Sequence, residues 1–443
     1  MRVPSYTGAF LRLALAASLA FAASPALAFH NGGVGACEGC HTMHNSSGGL
    51  AVAKNQPQLL GNAYLLQASD PSSTCLSCHA GLNPGGANVL TPAPAQGLPP
   101  GNYTPGGDFG WLRKSWSWTD GTTQGTSPGE RHGHNVVAFD YGLVSDTTFL
   151  SAPGGTYPST QLSCISCHDP HGQYRYAGSA FPSTTGAPIV ASGSYGGTGL
   201  VMPSAAAAVG TYRLLGGQGY APPGGLPAFT ADPAVALSPL VYNQGESTAQ
   251  VRVAYGAGMS EWCGNCHPGI HTPTAPGAGP FSHPSGNLAK LSTNGELDTY
   301  NKYLATGNVA GVQATSYWSI VPYEEGSTDR AMLATHATSD GSATSGPSTG
   351  QENVTCLSCH RAHASGWDWA MRWNMSNRTI STGYVTAGGQ WPGIDATGDA
   401  ALPANAQGRT QAETRGAMYD RDPTVYAPYQ KALCNKCHAQ DGP

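Results

Sequence analysis

The chain has 443 residues and a formal net charge of −5 at pH 7; only 10% of residues are charged, and 60 Gly and 34 Pro interrupt it throughout. So many chain breakers exclude long helices and wide sheets, and no basic patch points to nucleic acid. A 40% hydrophobic share, with nine Trp and twenty Tyr, also excludes a solvated polar chain, so something other than regular secondary structure must hold it.

In chain order, residues 1–28 read as a secretory signal. Arg2 and Arg12 precede an apolar run at 13–23, which ends at the small-residue pattern Ala26-Leu27-Ala28. Cleavage there starts the mature chain at Phe29. The apolar run is too short to span a bilayer, and no other stretch approaches the length that spanning requires. Residues 29–443 show no composition shift and read as one unit without a membrane span.

"CEGCHTMHNSS" (37–47) opens a series. All twelve cysteines fall in pairs with two residues between them: Cys37/Cys40, Cys75/Cys78, Cys164/Cys167, Cys263/Cys266, Cys356/Cys359 and Cys434/Cys437. Each pair is followed at once by a histidine: His41, His79, His168, His267, His360 and His438. The spacings between motifs are too irregular for a fold repeat. Between them "TYRLL" (211–215) and "QVRVAY" (250–255) suggest short strands. "GELDTYNKYLATG" (295–307), "RTQAETRGAMYD" (409–420) and "YAPYQKALCNKCH" (426–438) carry helical patterns, the last bringing its cysteines in on a helix. "HATSDGSATSGPSTG" (336–350) reads as a surface loop. The Asn-x-Ser/Thr triplets at Asn45 and Asn102 are common by chance and carry no weight.

Three chemistries compete for the cysteines. Adjacent pairs are a poor disulfide framework for an exported chain. Zinc takes such pairs two at a time, but leaves the histidines unexplained: chance puts a histidine at a given position about once in thirty. Covalent c-type haem uses every residue, with two thioethers to the porphyrin edge and the histidine to iron. Six haems also resolve the composition, because one flat apolar group per roughly 70 residues is itself a core. The expected fold is a multihaem cytochrome of irregular coil and loops, with a few short helices, minimal strand and six stacked haems at its centre.

Nine histidines remain: His30, His44, His132, His134, His171, His271, His283, His336 and His363. Six irons need six distal ligands, so the supply suffices. His44, His171 and His363 follow their motif histidine by three residues, and His271 follows His267 by four. Such a residue cannot reach the far face of its own haem, since three residues span roughly 10 Å at most. It must serve another iron, so one short peptide clamps two haems edge to edge. His134, His283, His336 and His30 are further candidates, and His132 is left out. Met43 is read as packing. Bis-histidine iron has no open position, so the reading is electron transport rather than catalysis.

The segments "FHNGGVGACEGCHTMHNSS" at the mature start, "TPGGDFGW" (104–111), "GHNVVAFDY" (133–141), "APGGTYP" (152–158), "RVAYGAGMSEWCGNCH" (252–267), "CLSCHRAHASG" (356–366) and "YAPYQKALCNKCHA" (426–439) resemble the OmcS-like outer-surface hexahaem c-type cytochromes, the extracellular cytochrome-nanowire family. The resemblance runs the length of the mature chain, more weakly at 176–250 and 375–420, with His132 as a departure. It implies a secreted protein at the cell exterior that polymerises into filaments with a continuous haem chain. It also implies electron flow from upstream outer-membrane or periplasmic cytochromes to metal oxides, electrodes or other cells. In that family the histidine three after the first motif ligates a haem of the neighbouring subunit; here that is His44. A head-to-tail contact of this kind does not close and builds a filament.

Two other readings stay open. A discrete hexahaem shuttle in the periplasm or at the outer surface would find all six distal ligands in its own chain. A multihaem oxidoreductase would need one five-coordinate iron.

Overall fold

The computed structural model describes residues 37–44, 46–47, 50–51, 64–81, 87–120, 122–178, 181, 189–191, 193, 203–223, 227–239, 246, 251–271, 283–376, 380, 406–421 and 430–438. The signal segment, His30 and the first four residues of the 426–438 helical pattern lie outside them.

Most of the described chain is irregular, as its glycine and proline content dictates. The helices are α1 (Cys37–Cys40), α2 (Pro71–His79), α3 (Met259–Cys263), α4 (Glu296–Lys302), α5 (Arg330–His336), α6 (Cys356–Cys359), α7 (Gln411–Ala417) and α8 (Asn435–His438). None exceeds the nine residues of α2, and none among the described residues is long and apolar enough to cross a membrane. Helices this short are not stable on propensity alone, so caps and packing hold them. Asp70 caps α2 by accepting from the Ser73 amide at 2.8 Å, with Pro71 preset in the first turn. Thr410 and Glu413 close a reciprocal capping box on α7.

Strand is minimal. Two-residue pairs β1 (Ser46–Ser47) and β2 (Leu50–Ala51) precede a five-residue hairpin, β3 (Trp116–Asp120) with β4 (Thr123–Ser127). A small mixed sheet sets β7 (Ala208–Gly210) between β5 (Arg175–Tyr176) and β6 (Ile189–Ala191), and β8 (Ala236–Leu237) pairs antiparallel with β9 (Ala254–Tyr255).

Several sequence expectations meet their outcome here. The patterns at 295–307 and 409–420 form α4 and α7, and β9 lies within 250–255. "TYRLL" is instead a 3₁₀ turn, Tyr212–Leu214, in which Arg213 and Leu214 take left-handed backbone angles that no strand accommodates. The last motif does not arrive on a long helix: residues 430–434 are irregular and only α8 is helical. The 336–350 loop is irregular but not merely superficial. Arg252 exchanges backbone hydrogen bonds with Thr338 and donates to Ser345 O at 2.9 Å, drawing the loop onto the body.

Apolar clusters gather against motif cysteines rather than forming one centre. Tyr300, Tyr303, Trp318 and Trp373 pack with Cys359 and Cys437. Tyr212, Tyr255 and Leu357 pack with Cys167 and Cys263. Sparse charges are used inside: Glu246 receives Arg361 at 2.7 Å and Arg372 at 3.3 Å, all three buried. Burial alone would raise the Glu246 carboxyl, but the two guanidiniums outweigh it and hold it below its usual range.

Candidate functional site

Each motif is wound as a single turn. The amide of the motif histidine donates back to the carbonyl of the first cysteine in His41, His168, His267, His360 and His438, at 2.8 to 3.1 Å, and α2 contains the second motif whole. A turn of this kind sets residues three apart on one face, so both sulfurs of a pair point the same way. Reciprocal caps, Ser163 with Ser166 and Thr355 with Ser358, fix the start of the third and fifth turns. None of the twelve cysteines is paired in a disulfide. Among the described residues no three His, Cys, Asp or Glu side chains converge as a zinc cluster would require.

The six motifs form a line in chain order, and their contacts alternate. Second cysteines are near neighbours between motifs one and two (Cys40 and Cys78) and three and four (Cys167 and Cys266), while at motifs five and six Cys359 lies near Cys434 and Cys437. First cysteines meet between motifs two and three (Cys75 and Cys164) and four and five (Cys263 and Cys356), each pair within hydrogen-bond reach.

Histidine orientation is set by carbonyl acceptors. Nδ1 of His41 bonds Tyr64 O at 2.9 Å, His79 bonds Ala87 O at 2.9 Å, and His168 bonds Arg213 O at 2.8 Å. His267 bonds Pro153 O at 2.9 Å and His360 bonds Trp369 O at 2.8 Å. His134 bonds Ala362 O at 2.7 Å and His283 bonds Pro284 O at 2.7 Å. Occupying Nδ1 in this way fixes the tautomer and presents Nε2 as the ligating nitrogen, the arrangement typical of metal-bound imidazole. His336 differs, with Nδ1 at 2.9 Å from the carboxylate of Glu325, itself 2.6 Å from Arg252.

Four pairs of imidazoles face each other at one characteristic distance. Ring centres are 6.3 Å apart for His41 and His171, 6.4 Å for His168 and His363, 6.1 Å for His134 and His267, and 5.9 Å for His283 and His438. A metal–imidazole bond of about 2 Å on each side, with the ring centre further out, gives roughly 6 Å. The donor set and spacing therefore fit haem iron between each pair. Desolvation, then the neighbouring imidazoles, holds His134 down to about 4 and His363 down to about 3, so both are neutral and keep the lone pair a ligand needs.

These pairs carry a rule. His171, three residues after the third-motif His168, faces the first-motif His41. His363, three residues after the fifth-motif His360, faces the third-motif His168. The linking peptide thus reaches the motif two places earlier, which gives the other iron expected from the sequence a definite position. His134 and His283, from distant segments, face the fourth-motif His267 and the sixth-motif His438. Among the described residues no histidine ring stacks on His79 or His360.

The other candidates are placed apart. His44 is exposed beyond α1. The Nε2 of His271 is enclosed without a hydrogen-bond partner, 4.0 Å from Glu261. His132, buried, spends both ring nitrogens on Trp111 O at 2.9 Å and Ser127 Oγ at 2.8 Å. Sequence reasoning missed the carbonyl acceptors and the Glu325 carboxylate, which carry no local signature.

No protein-family model matches the chain. It is similar to the C-type cytochrome OmcS of Geobacter sulfurreducens, with 46% identity over 433 residues, 96% of this chain and 97% of the relative. Two solved structures are similar: the OmcS nanowires from Geobacter sulfurreducens, by cryo-EM, with a TM-score of 0.83, and the outer membrane cytochrome S filament from the same organism, with 0.82. Each is 45% identical and covers 93% of this chain and 100% of its own.

Proposed function

The chain belongs to the family of the c-type cytochrome OmcS, and from that premise we propose that it is an extracellular electron conductor that polymerises head to tail. Covalent haem c, six groups on six motifs, supplies reversible one-electron iron chemistry when bound. The chain's own part is to hold those groups in a line, at fixed orientation, with two histidines on each iron, the second motif drawing its distal histidine from the remaining candidates His30 and His336. No position is then left for a substrate, and the activity is electron transfer rather than catalysis.

The observation that carries the polymer is the two-motif reach. The third motif's trailing histidine serves the first, and the fifth motif's serves the third. Continued, the trailing histidine of a seventh motif would serve the fifth. One chain has no seventh motif, but the next copy offers its first, where His44 stands exposed three residues after His41. His44 correspondingly has no motif two places earlier in its own chain. We assign it to the His360 iron of the neighbouring copy.

Cleavage after residue 28, a single unit over 29–443, upstream membrane or periplasmic cytochromes as donors and extracellular oxides, electrodes or cells as acceptors complete the reading.

Replacing His44 with Ala should leave chains carrying six haems, abolish long filaments in negative-stain micrographs and turn one iron per chain high-spin. Filaments of normal length in that variant refute the assignment and restore the discrete shuttle.

A further inference from the structure

The fourth motif is trailed by a histidine that the pairing rule does not use. His271 follows by four residues rather than three, and its Nε2 is enclosed by protein with no hydrogen-bond partner. Its charged neighbour is Glu261, two residues before Cys263, with Oε1 4.0 Å away. That separation is too long for a hydrogen bond.

Glu261 is itself held in place on one side only. Its Oε1 accepts from the Asn287 amide at 2.7 Å, while Oε2 is enclosed and unpaired. The side-chain carbonyl of Asn287 is a third enclosed, unpaired acceptor. Gly286 lies against both partners: a Cβ there would stand 2.4 Å from Glu261 Oε1 and 2.9 Å from His271 Nε2. Its φ of +94° is also one that glycine alone tolerates well.

Each unpaired buried polar atom costs about 1–3 kcal/mol, so three of them on His271, Glu261 and Asn287 need an account. A simple imidazolium–carboxylate pair would satisfy Nε2 and leave the two oxygens unmet. A haem iron on Nε2 would need an open face, where Glu261 and Gly286 close it. A small cation between His271 Nε2 and the Glu261 carboxylate is compatible with the 4.0 Å from Nε2 to Oε1, since two ligands with bonds of about 2.1 Å to one metal can stand up to roughly 4.2 Å apart. Imidazole nitrogen with carboxylate and amide oxygens suits a borderline first-row divalent ion rather than calcium or magnesium.

We propose that Glu261, His271 and the Gly286–Asn287 turn form a zinc-class divalent cation site outside the haem line. Gly286 donates to Val354 O at 2.7 Å, two residues before Cys356. The ion therefore braces the helix entering the fourth motif against the segment entering the fifth.

The test is a titration of chelator-treated holocytochrome with zinc chloride by calorimetry, with haem count and iron spin state measured in parallel. One zinc per chain is expected. Affinity should fall at least about tenfold to a hundredfold in Glu261→Gln and His271→Ala, with every iron still low-spin. Gly286→Ala, which fills the space without removing a donor, should weaken zinc likewise. If the first two variants fail to mature, zinc-edge absorption on the wild type decides: imidazole scattering that Gly286→Ala removes supports the site. No saturable zinc, unchanged affinity in the variants, or a high-spin iron in His271→Ala overturns it; the last would make His271 an iron ligand.

Discussion

The first and third motifs and the fourth and sixth obtain their facing histidines in opposite ways. The third and fifth motifs carry a histidine three residues on, which faces the motif histidine two places earlier. The fourth and sixth are faced instead from remote loops, by His134 and His283. The first arrangement is transitive and never completes within one chain, whereas the second is closed. A chain built only of the second kind would be a finished particle; the first kind leaves one histidine unused at one end and one motif unserved at the other.

The sharpest test of this difference compares His363→Ala with His134→Ala. Each should turn one iron high-spin in electron paramagnetic resonance and cut conduction along a filament by an order of magnitude or more. His363→Ala should leave the fourth motif's ligand in place only if the backbone of its peptide survives. His134 depends on that backbone: its amide donates to His363 O at 2.9 Å and its Nδ1 bonds Ala362 O. The closed set is therefore hung on the transitive set. Two high-spin irons in His363→Ala would show that the side chain, not only the backbone, supports both.

A smaller perturbation addresses the backbone alone. The peptide after the fifth motif lies between Gly106–Gly107 on one side and Gly133 on the other. A Cβ on Gly133 would fall 2.2 Å from His363 O and 2.6 Å from Ala364 Cα. Gly133→Ala should cost about 1–3 kcal/mol in chemical denaturation and disturb the ligands of the third and fourth motifs together. Disturbance of one alone would break the proposed dependence.

The two kinds of ligand differed in legibility. Six Cys-x-x-Cys-His motifs and three histidines at the same offset stood in the sequence as local patterns, and short helices followed from glycine and proline. Which iron each trailing histidine serves depends on the order of motifs in space, which no local pattern encodes. His271 shows the limit: one extra residue of spacing sends the ring into a pocket of Glu261 and Gly286. "TYRLL" failed similarly, its apolar pattern being overridden by a 3₁₀ turn that lets Arg213 O receive His168.

The junctions where first cysteines meet allow a pH test. At the second and third motifs the nearby carboxyl is Asp70, bonded to Ser73 and, at 2.8 Å, to the Phe139 amide. At the fourth and fifth it is Glu324, fully buried, accepting from Asn353 at 2.6 Å and the Met259 amide at 3.0 Å. Burial, against the pull of Asn353, pushes Glu324 up to about 8 from 4.5. Between those values the folded chain holds a proton that the unfolded chain has lost. Stability therefore falls as pH rises through the window, by about 1.4 kcal/mol per pH unit, and levels off above it. Glu324→Gln should flatten this slope in denaturation between pH 5 and 8; an unchanged slope would place its source elsewhere.

The smallest expected effect separates stability from ligation. Thr410 caps α7, its hydroxyl accepting from the Glu413 amide at 3.1 Å and donating to Gly97 O at 2.7 Å. Glu413 in turn binds Lys114 at 2.7 Å and Trp116 Nε1 at 3.1 Å, all buried. None of these groups touches a motif or a facing histidine. Thr410→Ala should cost about 1 kcal/mol with all irons low-spin and filaments intact. If this modest loss also produced high-spin iron, then ligation at every motif would simply follow global stability. The contrast between transitive and closed sets would then have no separate physical content. If it does not, the spin changes in His363→Ala and Gly133→Ala belong to the ligand geometry itself.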